Sequence, residues 1–272
     1  MNQIIQNNPD LWRNLLPFKS HNTHKYDHGH ALIYGAPELT GATRLAAEAC
    51  SRIGAGLVTV LSTPETSVIY RETLAAHILV RDDLTWDDAR VTARLYGSGG
   101  LPCAVDFTRA LPTVLDAEAL FELPSPLIPA PSGRGKASAS EQGEGNTAYV
   151  LTPHEGEFAR AFPEIKGDRP DRARAAARQT GAVVILKGPE TLIAAPDGQI
   201  IINTHASPHL ATAGTGDVLA GMVTGLLAQK MDVFKACCAA VWIHGDCALK
   251  FGPGLVASDL PGLIPRVLQD LS

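Results

Sequence analysis

Residues His30–Ser62 read HALIYGAPELTGATRLAAEACSRIGAGLVTVLS, and the architecture follows from them. HALIYG (30–35) is a short apolar run closed by Gly35 and reads as a buried strand. APELTGATR then turns from loop into helix. Ala42, Leu45, Ala46, Ala49 and Ile53 recur at helical spacing, and Gly54 and Gly56 stop the run. LVTVLS (57–62) is a second strand. Strand, helix and strand within about 30 residues make a βαβ unit, whose crossover makes the two strands parallel.

The same alternation continues along the chain. A helix is expected around 65–75, a strand near HILV, a short helix from Trp86 and a strand ending at Tyr96. YGSGG (96–100) is a glycine turn, and PTVLDAEAL (112–120) reads as strand, acid and helix start. TAYVL (147–151) is a strand, TPHEGEFARAF turns into a helix, and residues 169–180 form an Arg/Ala helix. AVVILK (182–187) is nearly continuous in apolar residues, as in a sheet covered on both faces. TLIAAPDGQIIIN (191–203) is a hairpin turning at Pro-Asp-Gly. The last third is helical: 216–229, about 232–250, and a tail from Leu260. Residues 1–29 read as a polar, irregular N-terminal extension with an apolar patch around Leu11 to Phe18. Residues 124–146, rich in Pro, Ser and Gly, read as a mobile insertion into a domain spanning 30–272.

Composition narrows the class. The chain has 272 residues, 45% of them apolar and 19% charged, as in a soluble enzyme, and a net charge of −5 without the basic footprint of a nucleic-acid binder. The start lacks a basic region followed by an uninterrupted apolar run, and no apolar run approaches a membrane span, so the expected setting is the cytoplasm. Five cysteines without a CxxC spacing (Cys50, Cys103, Cys237, Cys238 and Cys247) read as small buried hydrophobes in a reducing compartment.

Chemistry concentrates in ATAGTGDVLAGMVTGLLAQ (211–229). Leu219, Met222, Val223, Leu226 and Leu227 share one helical face, so Gly214-Thr215-Gly216-Asp217 lies at a helix N-terminus. That end carries unsatisfied N–H groups and positive partial charge, and the two glycines let the backbone curl into an anion nest. The same field favours ionised Asp217, a base beside a phosphate cradle, as phosphoryl transfer requires. The plainer alternative is a favourable first-turn acid. Lys187-Gly188 at the carboxyl end of the AVVILK strand is where open α/β sheets bind ligands, although an ordinary strand exit would look alike. The order of Lys-Gly, hairpin and Gly-Thr-Gly-Asp favours the functional reading.

These motifs together resemble a known family. VVILKGPETLIAAPDGQIIIN, ATAGTGDVLAGMVTGLLAQ and AVWIHG, with HKYDHGHALIYGAPELTGATRLAAEACSRIGAGLVTV (24–60), VLDAEAL (114–120), LTPHEGEFARAF (151–162) and GLVASDL (254–260), look like the ADP/ATP-dependent NAD(P)H-hydrate dehydratases. The resemblance implies a ribokinase-like three-layer α/β/α sandwich around a mainly parallel sheet. It also implies repair of hydrated NADH or NADPH, in which the ring hydroxyl is phosphorylated from ADP, or from ATP in eukaryotic members, and phosphate is then lost. On that pattern Asp217 is the base and contacts the hydrated ring, and Gly214, Thr215 and Gly216 form the anion hole, Gly216 also touching the nucleotide. Lys187, Gly188, Pro189, Glu190 and Thr191 line the adenosine phosphate site, and Ala42 and His154 contact the hydrate. In place of the family's Gly-Pro-Gly-Leu-Gly-like loop stands YGSGG, which offers Gly97 and Gly99 as substrate contacts. Many relatives carry an epimerase domain ahead of this one; residues 1–29 are too short for it, so the expectation is a free-standing or excised domain. The expected partners are small-molecule nucleotides, further copies in a homo-oligomer and an epimerase domain or partner.

Two positions stay open between two readings, and two histidine features are read one way. Glu157 either orders Mg²⁺ through water or complements a helix dipole. Asp116 is either structural at a strand end or supports the site from behind. His244, in an apolar helical pattern, reads as a satisfied core histidine rather than a ligand. The histidines of HNTHKYDHGH (21–30) are not read as a metal site, since no cysteine or second cluster completes a zinc set. Two alternative functions are a small-alcohol kinase of the same fold and a nucleotide-binding relative that has lost turnover.

Overall fold

A computed structural model describes residues 4–124 and 149–272, so the expected insertion at 124–146 falls, but for Pro124, outside the described residues. The strands are β1 (Ile5–Gln6), β2 (His30–Tyr34), β3 (Leu57–Leu61), β4 (Leu79–Arg81), β5 (Ala93–Tyr96), β6 (Thr113–Leu115), β7 (Tyr149–Leu151), β8 (Val183–Leu186), β9 (Thr191–Ala194) and β10 (Ile200–Asn203). They form one sheet in the order β1-β10-β9-β8-β7-β6-β5-β2-β3-β4. From β8 to β4 every neighbouring pair is parallel, and β9 is antiparallel to both β8 and β10. The chain therefore runs outward from β2 to β4, then returns to the other side of β2 and runs outward again from β5 to β8. That places a topological switch point between β2 and β5, where open α/β sheets present a ligand crevice.

The helices are α1 (Thr40–Arg52), α2 (Pro64–Thr73), α3 (Glu155–Ala161), α4 (Arg169–Thr180), α5 (Thr215–Ala228), α6 (Val233–Phe251) and α7 (Leu260–Leu271). Alternate residues of each strand point to opposite faces. Ala31 and Ile33, Val58 and Val60, and Ile185 join the core under α1, α5, α6 and α7. Leu32 and Tyr34, Leu61, and Val184 and Leu186 join the core under α3 and α4. Both faces of the sheet are covered, which explains why AVVILK has no polar alternation. Nearly all of α5 is buried, and it lies close against α1: a Cβ on Gly221 would come within 2.1 Å of the Ala46 carbonyl oxygen. Only glycine permits that approach, and it fixes the N-terminal end of α5 relative to the crevice.

The expected elements are found with local differences. Asp168 caps α4 by accepting from the Asp171 N–H, and Gly181 ends it in the left-handed conformation. No helix forms from Trp86. Asp83 there accepts from Thr85 N–H, and Asp88 from Arg90 N–H, and these local turns compete with helical hydrogen bonds. The helix start expected after Asp116 is a single 3₁₀ turn, Ala117–Phe121. Of the cysteines, four are buried and Cys103 is half-buried. Near the N-terminus, β1 adds to the sheet beside β10, and Trp12 is buried in the core. Asn7 anchors that segment, accepting from the Trp12 indole N–H and donating to Asn203 and the Cys238 carbonyl. Among the described residues no helix is long and apolar enough to cross a membrane.

Candidate active site

Every residue singled out for chemistry lies at the carboxyl ends of the parallel strands or at the N-termini of α1, α3 and α5. Gly214 has φ +91°, and from it the chain enters α5. The turn is held from below by the Thr215 hydroxyl, which donates toward the carbonyls of Leu210 (2.9 Å) and Thr212 (3.1 Å). A Cβ on Gly214 would meet Leu45 Cδ1 at 2.6 Å, so both the conformation and the space select glycine. Asp217 stands in the first turn, half-buried at the cleft.

Lys187 reaches this turn from the end of β8. Its Nζ lies 3.2 Å from the position a Cβ on Gly216 would occupy. The two halves of the site, about 30 residues apart in sequence, are thus in contact through the space an alanine would fill. The ammonium is also 3.2 Å from Asp116 Oδ1 and 3.7 Å from Glu157 Oε2. Burial opposes the charge on Lys187, but Asp116, Glu157 and Asp217 together outweigh it and raise the pKa above its ordinary value. On Asp217, burial works the other way. Loss of hydration and then the like charge of Asp116 push its pKa up to about 6, against the pull of Lys187, Ser98 and its own backbone N–H. A carboxylate with that value is still mostly ionised near neutrality and binds a proton more readily than an ordinary aspartate.

Asp116, left open from the sequence, is an almost fully buried hub. Its Oδ1 accepts from Lys187 and from the Thr152 hydroxyl (2.7 Å), and its Oδ2 accepts from the Ser98 hydroxyl (3.2 Å). Ser98 is also near enough to Asp217 for its hydroxyl to favour the ionised carboxylate. Ser98 was not anticipated, because its neighbours Gly97 and Gly99 carried the turn signal. Both glycines have positive φ, and a Cβ on Gly99 would approach that of Ala42 within 2.8 Å. Thr43 donates to the Ser98 carbonyl (3.0 Å), so this loop is tied to the first turn of α1 across the switch point. Ala42 and Gly99 are therefore neighbours, while a Cβ on Gly97 would meet the Asp116 carbonyl oxygen at 1.9 Å.

Beyond the end of β8, Gly188, Pro189 and Glu190 form an exposed turn leading to Thr191. Arg169 staples it from beneath, donating to the Glu190 carbonyl (2.8 Å) while Glu155 holds the guanidinium (2.6 Å). Nothing in the sequence pointed to Arg169, since its partners come from three separate segments. His154 is the N-cap of α3: its Nδ1 accepts from the N–H groups of Gly156 (2.9 Å) and Glu157 (3.2 Å). Glu157 completes the capping box by accepting from the His154 N–H at 2.7 Å. The ring is largely exposed beside a cavity of about 280 Å³.

His244 departs from its expected description. It is buried, but among the described residues its Nε2 has no hydrogen-bond partner. Burial lowers its pKa to about 4; a hydrogen bond to the Thr215 backbone opposes this and the Lys187 charge adds to it. It therefore lies under the glycine turn as a neutral ring. In the histidine-rich segment His28 pairs with Thr23 and His30 with Thr59. Among the described residues no group of three or more His, Cys, Asp or Glu is placed to hold a metal by itself.

A mainly parallel sheet between two helical layers, with a glycine anion nest and an adjacent carboxylate, defines a ribokinase-like protein. The fold is also that of a ribokinase-like protein from Enterococcus faecalis (TM-score 0.76, 20% identity, 96% of this chain and 95% of that one). Residues 30–266 match the family described as NAD(P)H-hydrate dehydratase, and the chain belongs to that family. It is 32% identical to the ADP-dependent (S)-NAD(P)H-hydrate dehydratase of Neisseria meningitidis, over 90% of this chain and 86% of that protein. The Bacillus subtilis ADP/ATP-dependent NAD(P)H-hydrate dehydratase, co-crystallised with ATP/Mg²⁺, superposes with a TM-score of 0.83 at 28% identity, covering 99% of both chains. The chain spans about half the length of the first curated relatives it matches, such as 51% of a bifunctional NAD(P)H-hydrate repair enzyme from Salinibacter ruber that is 36% identical over 93% of this chain.

Proposed function

We propose that this chain is an ADP-dependent NAD(P)H-hydrate dehydratase, and that the residues described above carry the reaction. The single observation that supports the reading most is the contact between the Lys187 ammonium and the Gly216 turn, with Asp217 beside both. The hydrate's ring hydroxyl sits in the switch-point crevice, against Ala42, Gly97 and Gly99, with His154 contacting the far side of the substrate. Asp217 takes the hydroxyl proton as the oxygen attacks the terminal phosphorus of ADP. The bond to the bridging oxygen breaks and AMP leaves. Charge on the moving phosphoryl group is met by the N–H groups of Gly214, Thr215 and Gly216. Lys187 compensates the phosphates, and the Lys187–Thr191 turn holds the adenosine phosphate. Loss of inorganic phosphate, with a proton from the neighbouring ring carbon, restores the double bond. Hydroxide leaves poorly, and the phosphate ester leaves well, which is why a nucleotide is consumed.

A phosphate-bound Mg²⁺ fits the donor set. Glu157 brings a carboxylate oxygen to 3.7 Å from the Lys187 ammonium, and Mg²⁺ keeps most of its waters. Glu157 would help hold the ion through water while still accepting from the His154 N–H, and the ion would supply neutralisation of phosphate charge. The same proposal takes the chain to act in the cytoplasm as a homo-oligomer, alongside an epimerase domain or partner.

The test mixes hydrated NADH or NADPH, ADP and Mg²⁺ with the protein and follows the return of nicotinamide absorbance. Recovery that depends on ADP and disappears in Asp217→Asn is the expected result. Nucleotide binding without recovery would sink the proposal, as would ATP consumption with a small alcohol in place of the hydrate.

A further inference from the structure

The carboxylate that organises the centre of the cleft has no part in the chemistry described so far. Asp116 is 3% exposed, at the end of β6. Its Oδ1 holds the Lys187 ammonium (3.2 Å), steadied by the Thr152 hydroxyl, and its Oδ2 holds the Ser98 hydroxyl (3.2 Å). Both arms lie beside Asp217: Lys187 meets it through charge, and the Ser98 hydroxyl favours its ionised form. A lysine in this position has an obvious competing partner, namely Asp217 itself. If Lys187 closed on Asp217, the base would be neutralised and the phosphates would lose their counter-charge together.

We propose that Asp116 is a positioning residue that keeps Lys187 off Asp217 and on the phosphate side of the Gly216 turn, with the Ser98 hydroxyl and Thr152 fixing the carboxylate in place. This rests on the reading of Asp217 as the base. The groups facing Asp217 and Lys187 come from five segments: Ser98 after β5, Asp116 after β6, Glu157 in α3, Lys187 after β8 and His244 in α6. Asp116 is the group among them that both attracts the lysine and repels the base. Without its charge, Lys187 relaxes toward Asp217 and the like-charge repulsion goes. Both changes favour the ionised form of Asp217, so its midpoint falls. Without the Ser98 hydroxyl, a group that favours the ionised form of Asp217 is lost and the midpoint rises. A role confined to packing predicts neither movement.

The experiment uses Asp116→Asn, which keeps the side-chain shape and an acceptor for Thr152, and Ser98→Ala, which removes only the hydroxyl. Carboxyl ¹³C NMR follows the titration of Asp217, assigned by comparison with Asp217→Asn. Asp116→Asn is expected to lower the midpoint by about one unit and Ser98→Ala to raise it by roughly half of that. In turnover, Asp116→Asn is expected to cut kcat by about 10- to 100-fold with KM for the hydrate held within roughly threefold. An unmoved midpoint in Asp116→Asn, or an upward one, overturns the proposal. So does a downward one in Ser98→Ala, which also serves as the test if Asp116→Asn fails to fold. The titration needs no turnover. A wild type that never restores nicotinamide absorbance refutes the dehydratase reading, while the two midpoints still decide for or against the positioning role.

Discussion

Replacing Gly214 with alanine tests the anion nest at its narrowest point. Gly214 has φ +91°, where an L-residue with a Cβ costs about 1–2 kcal/mol. The new methyl would stand 2.6 Å from Leu45 Cδ1 and 3.0 Å from Ala257 Cβ. The leucine tip can rotate for about 1 kcal/mol, but the alanine methyl belongs to a short 3₁₀ turn and yields less. If the turn keeps its shape, the sum is about 2–4 kcal/mol, or a melting temperature lower by about 5–15 °C for a chain of this length. If residue 214 instead relaxes to negative φ, stability is recovered but the N–H groups of residues 214–216 no longer converge. The loss then appears in kcat, on the order of 10²–10³-fold per misdirected donor. Calorimetric melting and ADP-dependent recovery of nicotinamide absorbance, measured on one preparation, distinguish the two outcomes. Gly41→Ala is the control: nothing lies within 4 Å of its Cβ, and stability should stay level or rise by up to about 1 kcal/mol. A Gly214→Ala protein that melts and turns over like wild type would refute the assignment of this turn as the phosphate cradle.

Three further outcomes are expected. The acid limb of kcat/KM should have unit slope and a midpoint near pH 6, the value burial imposes on Asp217; a midpoint near that of an ordinary aspartate would exclude it as the base. Lys187→Met should weaken ADP binding in titration calorimetry by about 10- to 100-fold, and should lower stability by about 3 kcal/mol because Asp116 is left buried without its cation; unchanged affinity would remove Lys187 from the phosphate site. The folded-state pKa of His244 is depressed from 6.5 to about 4, so its neutral burial contributes stability that is fully present above pH 6.5 and is lost as pH falls through 4. That loss is on the order of 3 kcal/mol and should be missing in His244→Gln when denaturant midpoints are compared at pH 7 and pH 4; equal acid loss in both proteins would refute it.

The elements that were legible are those whose signal is local. The helices α1 and α5 follow from apolar recurrence, and the end of α1 from Gly54, because periodicity and glycine stops act within a few residues. The segment from Trp86 misled for the same local reason: side-chain turns at Asp83 and Asp88 satisfy the backbone before a helix can form. Gly-Thr-Gly-Asp and Lys187 could be named as candidates because glycine curls and strand ends have residue-level signatures, whereas Ala42 came only from the family resemblance. Arg169, Ser98 and the hub at Asp116 have none, since a lone charge or hydroxyl looks the same in a sequence whether its partner is solvent or a buried lysine.

By itself, the order of residues determined a βαβ protein with a phosphate-suited helix start and a lysine at a strand tip. The folded chain decided that these belong to one cleft. Lys187 and Asp116 are 71 positions apart and Thr43 and Ser98 are 55 apart, yet each pair is bonded. Such contacts depend on which strands become neighbours, and that choice is made by the packing of both helical layers on the sheet. The pKa of Asp217 likewise depends on the solvent excluded and the charges gathered when those layers close.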